Sequence, residues 1–134
     1  YMSPKSVAYL LGLIIFSHAI PGVVWGHGEN KPGPHGGHIR MPGVFHTELV
    51  VKSKTELNIF LLDMEWAHPT TEGSSVTVVF KSGPKESRLN CEATQVHFRC
   101  RAPTGVSITA PGKVEVTASR SRSSSGLAMY ELPL

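Results

Sequence analysis

Short segments in which apolar and polar residues alternate recur along most of the chain, and this pattern constrains the fold more than any other feature. In one of them Leu57, Ile59 and Leu61 fall on the same side. Segments of this kind span residues 44–52, 56–62, 75–81, 112–119 and 127–132, with turn-forming Gly, Pro and Ser between them. Because a period of two is typical of half-buried strands and no window shows helical spacing, the sequence predicts an all-β domain. Together with a cysteine hairpin, these segments make about seven strands, which indicates an immunoglobulin-like β-sandwich.

The two cysteines of the chain, Cys91 and Cys100, are spaced as in a β-hairpin and not as in a CxxC motif. A short turn near Thr94 and Gln95 would place the sulfur atoms opposite each other. We therefore predict a disulfide, which forms in an oxidising compartment. The alternative is a pair of thiolate metal ligands with His97 nearby. Strand alternation disfavours it, because His97 and the cysteines would point to different places.

Residues 1–26 have the features of a secretory signal peptide: a short basic start, an apolar run over residues 7–16, and small residues after it. The apolar run is about half of the ~20 residues needed to span a bilayer, so we expect cleavage and not anchoring. Cleavage after Ala19 and cleavage after Gly26 both satisfy the small-residue rule. The alternative is an uncleaved leader that lies on the membrane. We predict a periplasmic or secreted protein, with a His/Gly/Pro-rich arm over residues 27–43 and the sandwich over residues 44–134.

Charge and motifs exclude several classes of function. The net charge of +3 is scattered and aromatic residues make up only 7% of the chain, so we expect no nucleic-acid partner. The sequence has no Gly-x-Ser-x-Gly elbow, no His-Glu-x-x-His and no Walker loop, and we predict that it is not an enzyme. The enzymatic alternative is a copper brace, built on His27 as the mature N-terminal residue with a second histidine.

Histidine clustering is the main clue to function. Five of the seven histidines lie between His27 and His68, and three of them punctuate a Gly/Pro-rich run. Imidazole is the commonest protein ligand for borderline transition metals, and neighbouring glycines let the backbone bend around an ion. His35 and His38, separated by two glycines, could therefore both reach one ion.

Other ligand types accompany these histidines. His46 and Glu48 share one face of a predicted strand and could line the same site. Met64, Trp66 and His68 alternate and would project together if their strand continued. The candidate ligands for a transition metal ion, copper or zinc, are His27, His35, His38, Met41, His46, Glu48, Met64 and His68.

Residues 33–51, which contain Gly-Pro-His-Gly-Gly and later Glu-Leu-Val, resemble the small N-terminal domain of heavy-metal efflux adaptors when taken with residues 56–63. Residues 69–80 look like small exported immunoglobulin-like domains associated with copper handling. This sequence contains no coiled-coil hairpin or lipoyl-like segment, so pumping does not carry over. The resemblance implies a metal-binding carrier, scavenger or sensor whose partner is an efflux or envelope protein. The alternative is an immunoglobulin-like envelope structural or interaction protein without metal.

Overall fold

The alternating segments are strands. The computed structural model describes residues 31–134, and the elements in this part of the chain are nine β-strands. They are β1 (His38–Arg40), β2 (His46–Val51), β3 (Glu56–Leu62), β4 (Ser75–Ser82), β5 (Lys85–Arg88), β6 (Asn90–Ala93), β7 (Phe98–Arg101), β8 (Gly112–Ser119) and β9 (Gly126–Leu132). No helix that could cross a membrane occurs in this range. The predicted signal peptide, its two cleavage sites and His27 lie outside the described residues.

The strands form two antiparallel sheets. The five-stranded sheet has the order β1-β2-β3-β7-β6, and the four-stranded sheet has the order β5-β4-β8-β9. When β1 is set aside, this is the order of an immunoglobulin-like sandwich, in which strands A, B, E and D face strands C, F and G, with one extra strand beside C. The predicted all-β sandwich is confirmed.

The core lies between the sheets, as the alternation predicts. Leu57, Ile59 and Leu61 of β3 are completely buried there, in the same core cluster as Val114 and Val116 of β8. Apolar burial of this kind contributes roughly 25 cal/mol per Å² of surface removed from water. Burial therefore fixes which side of each strand faces inward, because a shift of the strand pairing by one residue would turn all of its core side chains toward solvent.

Two strands were not predicted. β1 lies inside the segment assigned to the arm, yet Ile39 is completely buried and pairs with Glu48 of β2. β1 has only three residues and follows a Gly/Pro-rich run, so it is too short to show an alternation of apolar and polar residues. β5 has no apolar alternation because it is an edge strand, paired on one side with β4, and its side chains are mostly exposed.

The cysteine prediction is confirmed. Cys91 of β6 and Cys100 of β7 are directly paired across the hairpin and form a disulfide. The turn between the strands is closed by the Thr94 amide, which donates to the carbonyl of His97 at 2.8 Å. Cys100 is buried in the core, and neither cysteine is free. The alternative of two thiolate ligands is therefore wrong.

Candidate metal-binding site

The outer face of the five-stranded sheet, which is the side turned away from the four-stranded sheet, carries a buried carboxylate. Glu48 projects from β2 onto this face and is completely buried. Its Oε2 accepts hydrogen bonds from the backbone amides of His35 and Gly37, both at 2.8 Å, and its Oε1 lies 2.7 Å from Nδ1 of His35. Burial of a carboxylate is unfavourable unless such partners replace water. Residues 33–37, which we call the His35 loop, supply them.

Glycine makes this close approach possible. Gly36 has a φ of 79°, in the left-handed region that glycine adopts without strain. A Cβ on Gly33 would lie 2.5 Å from Oε2 of Glu48, and a Cβ on Gly37 would collide with the carbonyl oxygen of Leu49. The Gly-Pro-His-Gly-Gly run is thus the sequence of a loop that folds tightly over a carboxylate.

The His35 ring is held in one orientation. It stacks on Phe60, with ring centroids 3.7 Å apart and an interplanar angle of 7°, and its side chain is 35% exposed. With Glu48 as the acceptor, the proton of the neutral ring lies on Nδ1 and the lone pair on Nε2. A carboxylate on one nitrogen and a free lone pair on the other is the usual arrangement of a metal-ligating histidine.

Three further histidines also direct Nδ1 at an oxygen atom. Nδ1 of His46 lies 3.2 Å from the carbonyl oxygen of Asp63, and Nδ1 of His68 lies 2.7 Å from Oδ2 of Asp63. Nδ1 of His97 lies 3.3 Å from Oγ1 of Thr94, whose own proton is donated to the His97 carbonyl. In each neutral ring the lone pair is therefore on Nε2, which is the atom that would bind a metal ion.

The pKa of His97 is lowered, first by burial of the ring and then by the nearby charges of Arg99, His35 and Lys52, with Glu56 acting in the opposite direction. The neutral ring, which is the form that binds metal, is favoured there. The sequence interpretation did not include His97 among the candidate ligands. One indication was available. His97 directly precedes Phe98, and because successive residues of an extended segment point to opposite faces, it is expected to face away from the core that contains Phe98 and Cys100.

The structure brings some of the predicted ligands together and separates others. His46 and Glu48 lie on the same face of β2, as predicted, and both are buried. His38 pairs with Leu49, whose side chain lies in the core, so its position is on the other face of the sheet from Glu48. There it lines an apolar cleft of about 340 Å³ between the sheets. The His35 loop thus does not direct His35 and His38 to one point.

The predicted cluster at Met64, Trp66 and His68 does not form a continued strand. β3 ends at Leu62, and the chain then turns, with Trp66 and His68 at φ values of 63° and 53°. Trp66 packs on the apolar residues of the outer face, whereas Met64 is 48% exposed. The three side chains therefore do not alternate along one face. Met41, the other predicted thioether ligand, is 46% exposed just after β1.

Asp63 holds this turn. Its Oδ1 accepts from the amides of Glu65 and Ala67, both at 2.9 Å, and its Oδ2 contacts His68. The pKa of Asp63 is lowered, chiefly by the His68 hydrogen bond and next by the Ala67 amide. The side chain is solvent-accessible, so its contribution is screened.

We expect acid to weaken this turn. A carboxyl whose pKa is lower in the folded than in the unfolded protein contributes stability above its unfolded pKa, about 3.9 for aspartate, and loses it as the pH falls through the folded value. The difference in thermal unfolding midpoint between the wild-type protein and Asp63→Asn should thus be largest near neutral pH and shrink below about pH 4. A difference that stays constant from pH 6 to pH 2, measured by circular dichroism with a chelator present, would contradict this expectation.

Within residues 31–134, no three His, Cys, Asp or Glu side chains are grouped closely enough to hold a metal ion by themselves. Comparisons of the chain with models of protein families, with curated proteins and with solved structures found no match.

Proposed function

We propose that the chain is an exported module that binds a transition metal ion, copper or zinc, and acts as a carrier, scavenger or accessory to heavy-metal efflux. The observation that carries the proposal is the His35–Glu48 pair. A buried carboxylate fixes the tautomer and the orientation of an imidazole whose side chain is partly exposed.

Glu48 serves as the partner of the ligand and not as a ligand itself. Both of its oxygens already accept hydrogen bonds from the His35 loop, and it has no exposed surface. A hydrogen-bonded carboxylate fixes the tautomer of the imidazole and keeps its ring in place. Neutral imidazole suits Zn²⁺ and both oxidation states of copper, which is why the proposal names these metals.

Export is supported by the leader sequence and by the Cys91–Cys100 disulfide, which is stable in oxidising compartments. The resemblance to efflux adaptors points to the same compartment, and an efflux or envelope protein is the partner we propose.

The test compares two histidines of the same loop region. In a His27→Ala background, which removes any chelation by the leader-proximal histidine, His35→Ala should weaken Zn²⁺ binding by about 100-fold, because it removes the ligand that Glu48 orients. His35→Gln, which retains a donor for Glu48, should do the same without loss of folding. His38→Ala is the matched control, since His38 lies on the other face of the sheet, and it should bind as the wild type does.

Affinity is measured by competition with a chromophoric chelator for Zn²⁺ and, under reducing conditions, for Cu⁺. If the His27→Ala protein binds neither ion more tightly than the free chelator does, the metal proposal fails. The interaction module without metal would then be the better description.

A further inference from the structure

We infer that His97 is the second imidazole ligand of the ion held by His35, so that the metal site lies above Phe60 on the outer face of the five-stranded sheet. The inference rests on the proposed function and deepens it, because it identifies where the ion is bound and by which side chains.

The strand order and the His35 loop place both histidines next to one aromatic ring. Glu48 of β2 is directly paired with Phe60 of β3, and β7 lies on the far side of β3. Phe98, the first residue of β7, pairs with Ile59, and His97 precedes it. The rings confirm this proximity, since the His97 centroid lies 4.9 Å from that of Phe60 and the His35 centroid lies 3.7 Å from it.

The anchoring of His35 determines where its free nitrogen points. The ring is stacked flat on Phe60 and its Nδ1 is bound to Glu48, which lies on the β2 side. The two nitrogens of an imidazole point away from each other, so Nε2 is directed away from Glu48 and thus away from β2. His97 also has its Nδ1 occupied, by Thr94, and retains Nε2. The inferred ion lies between the available nitrogen atoms of these two oriented imidazoles.

An unpartnered polar group lies beside this region. Asn58 precedes Phe60 by two residues on the same face of β3 and is 9% exposed. Its Oδ1 is buried, with no hydrogen-bond partner among residues 31–134. Buried acceptors are rarely left without a donor, and each such group calls for an explanation. Nε of Arg99, the residue that pairs with Asn58 across β3 and β7, is the other buried side-chain atom without a partner among the described residues, and a water molecule bound to the metal would donate to the Asn58 oxygen.

The resulting donor set is two imidazoles with water in the remaining positions. It fits the finding that the described residues contain no group of three classical ligand side chains. A site with two protein ligands and open positions binds metal less tightly than a closed structural zinc site, and it releases the ion readily to another protein. That behaviour is what a carrier requires.

The test uses the His27→Ala background and Zn²⁺ as the probe. His97→Ala should weaken Zn²⁺ binding by about 10- to 100-fold. X-ray absorption at the zinc edge should find two imidazoles in the parent protein and one in the variant. His97→Gln replaces His97→Ala if the latter fails to fold. The matched control is His68→Ala, which removes another imidazole whose Nδ1 is bound to oxygen but which lies in the Asp63 turn.

The outcomes separate the two proposals. If His35→Gln abolishes binding while His97→Ala and His97→Gln retain the parent affinity and imidazole count, His97 is not a ligand and only the proposed function stands. If the parent protein does not bind Zn²⁺ or Cu⁺, the proposed function fails and this inference fails with it. If His68→Ala weakens binding as much as His97→Ala does, the ion is not held above Phe60.

Discussion

Replacing Glu48 with alanine should lower the free energy of unfolding by about 3–5 kcal/mol. The substitution leaves the amides of His35 and Gly37 without their acceptor, and it also removes the partner of the His35 ring. Each buried donor that loses its partner costs about 1–3 kcal/mol, because it cannot return to water unless the loop opens. Small domains are stable by only about 5–15 kcal/mol, so the variant should be close to unfolding at ordinary temperature.

Two comparisons isolate the cause of this effect. Glu48→Gln keeps one acceptor oxygen but turns an amide toward groups that are themselves donors, and we expect a loss of about 1–3 kcal/mol. Glu86→Ala removes an exposed carboxylate that lies 3.6 Å from Lys81, and such surface pairs contribute less than about 1 kcal/mol. Urea unfolding followed by circular dichroism measures all three variants. An effect of Glu48→Ala no larger than that of Glu86→Ala would show that the carboxylate does not hold the loop.

Two strands agree with the prediction to the residue, for different reasons. In β8 core positions such as Val114 and Val116 alternate with more exposed ones, whereas β3 is bounded by turns and is buried on both sides. β1 was not predicted, since its place depends on pairing with β2 and not on its own three residues. A strand this short shows no alternation of apolar and polar residues from which its pairing with a distant segment could be predicted.

The sequence indicated some residues of the candidate site but not their arrangement, and it did not include His97. The sequence identified the histidine-rich run and the shared face of His46 and Glu48, but it treated Glu48 as an accessible ligand. Whether that face is open to solvent depends on the His35 loop, a contact that strand periodicity cannot reveal. One indication was present, because β3 carries Phe60 and Leu62 on its outer side as well as an apolar inner side. A strand that is apolar on both sides is covered on both sides.

The second large effect is expected at Gly37, where alanine should lower the free energy of unfolding by about 3 kcal/mol, the upper end of the range for overpacked sites. A Cβ at this position would meet the carbonyl oxygen of Leu49 and lie 2.7 Å from Cγ2 of Val50. The carbonyl oxygen of Leu49 belongs to the backbone of β2. The clash is therefore relieved only if β1 and the His35 loop move away from β2. That movement would also separate the Gly37 amide from Glu48.

Gly36, the neighbouring glycine, is the matched control. Glycine is favoured there by the backbone conformation and not by a close approach of other atoms. Gly36 has a positive φ of 79°, but a Cβ there would meet nothing within 4 Å. Alanine at this position should therefore cost only about 1 kcal/mol, the penalty for a left-handed backbone conformation. Urea unfolding measures both variants, and Zn²⁺ competition should find binding weakened in Gly37→Ala and retained in Gly36→Ala. Equal losses of stability in the two variants would mean that backbone conformation, and not the close approach of the loop to β2, explains the paired glycines.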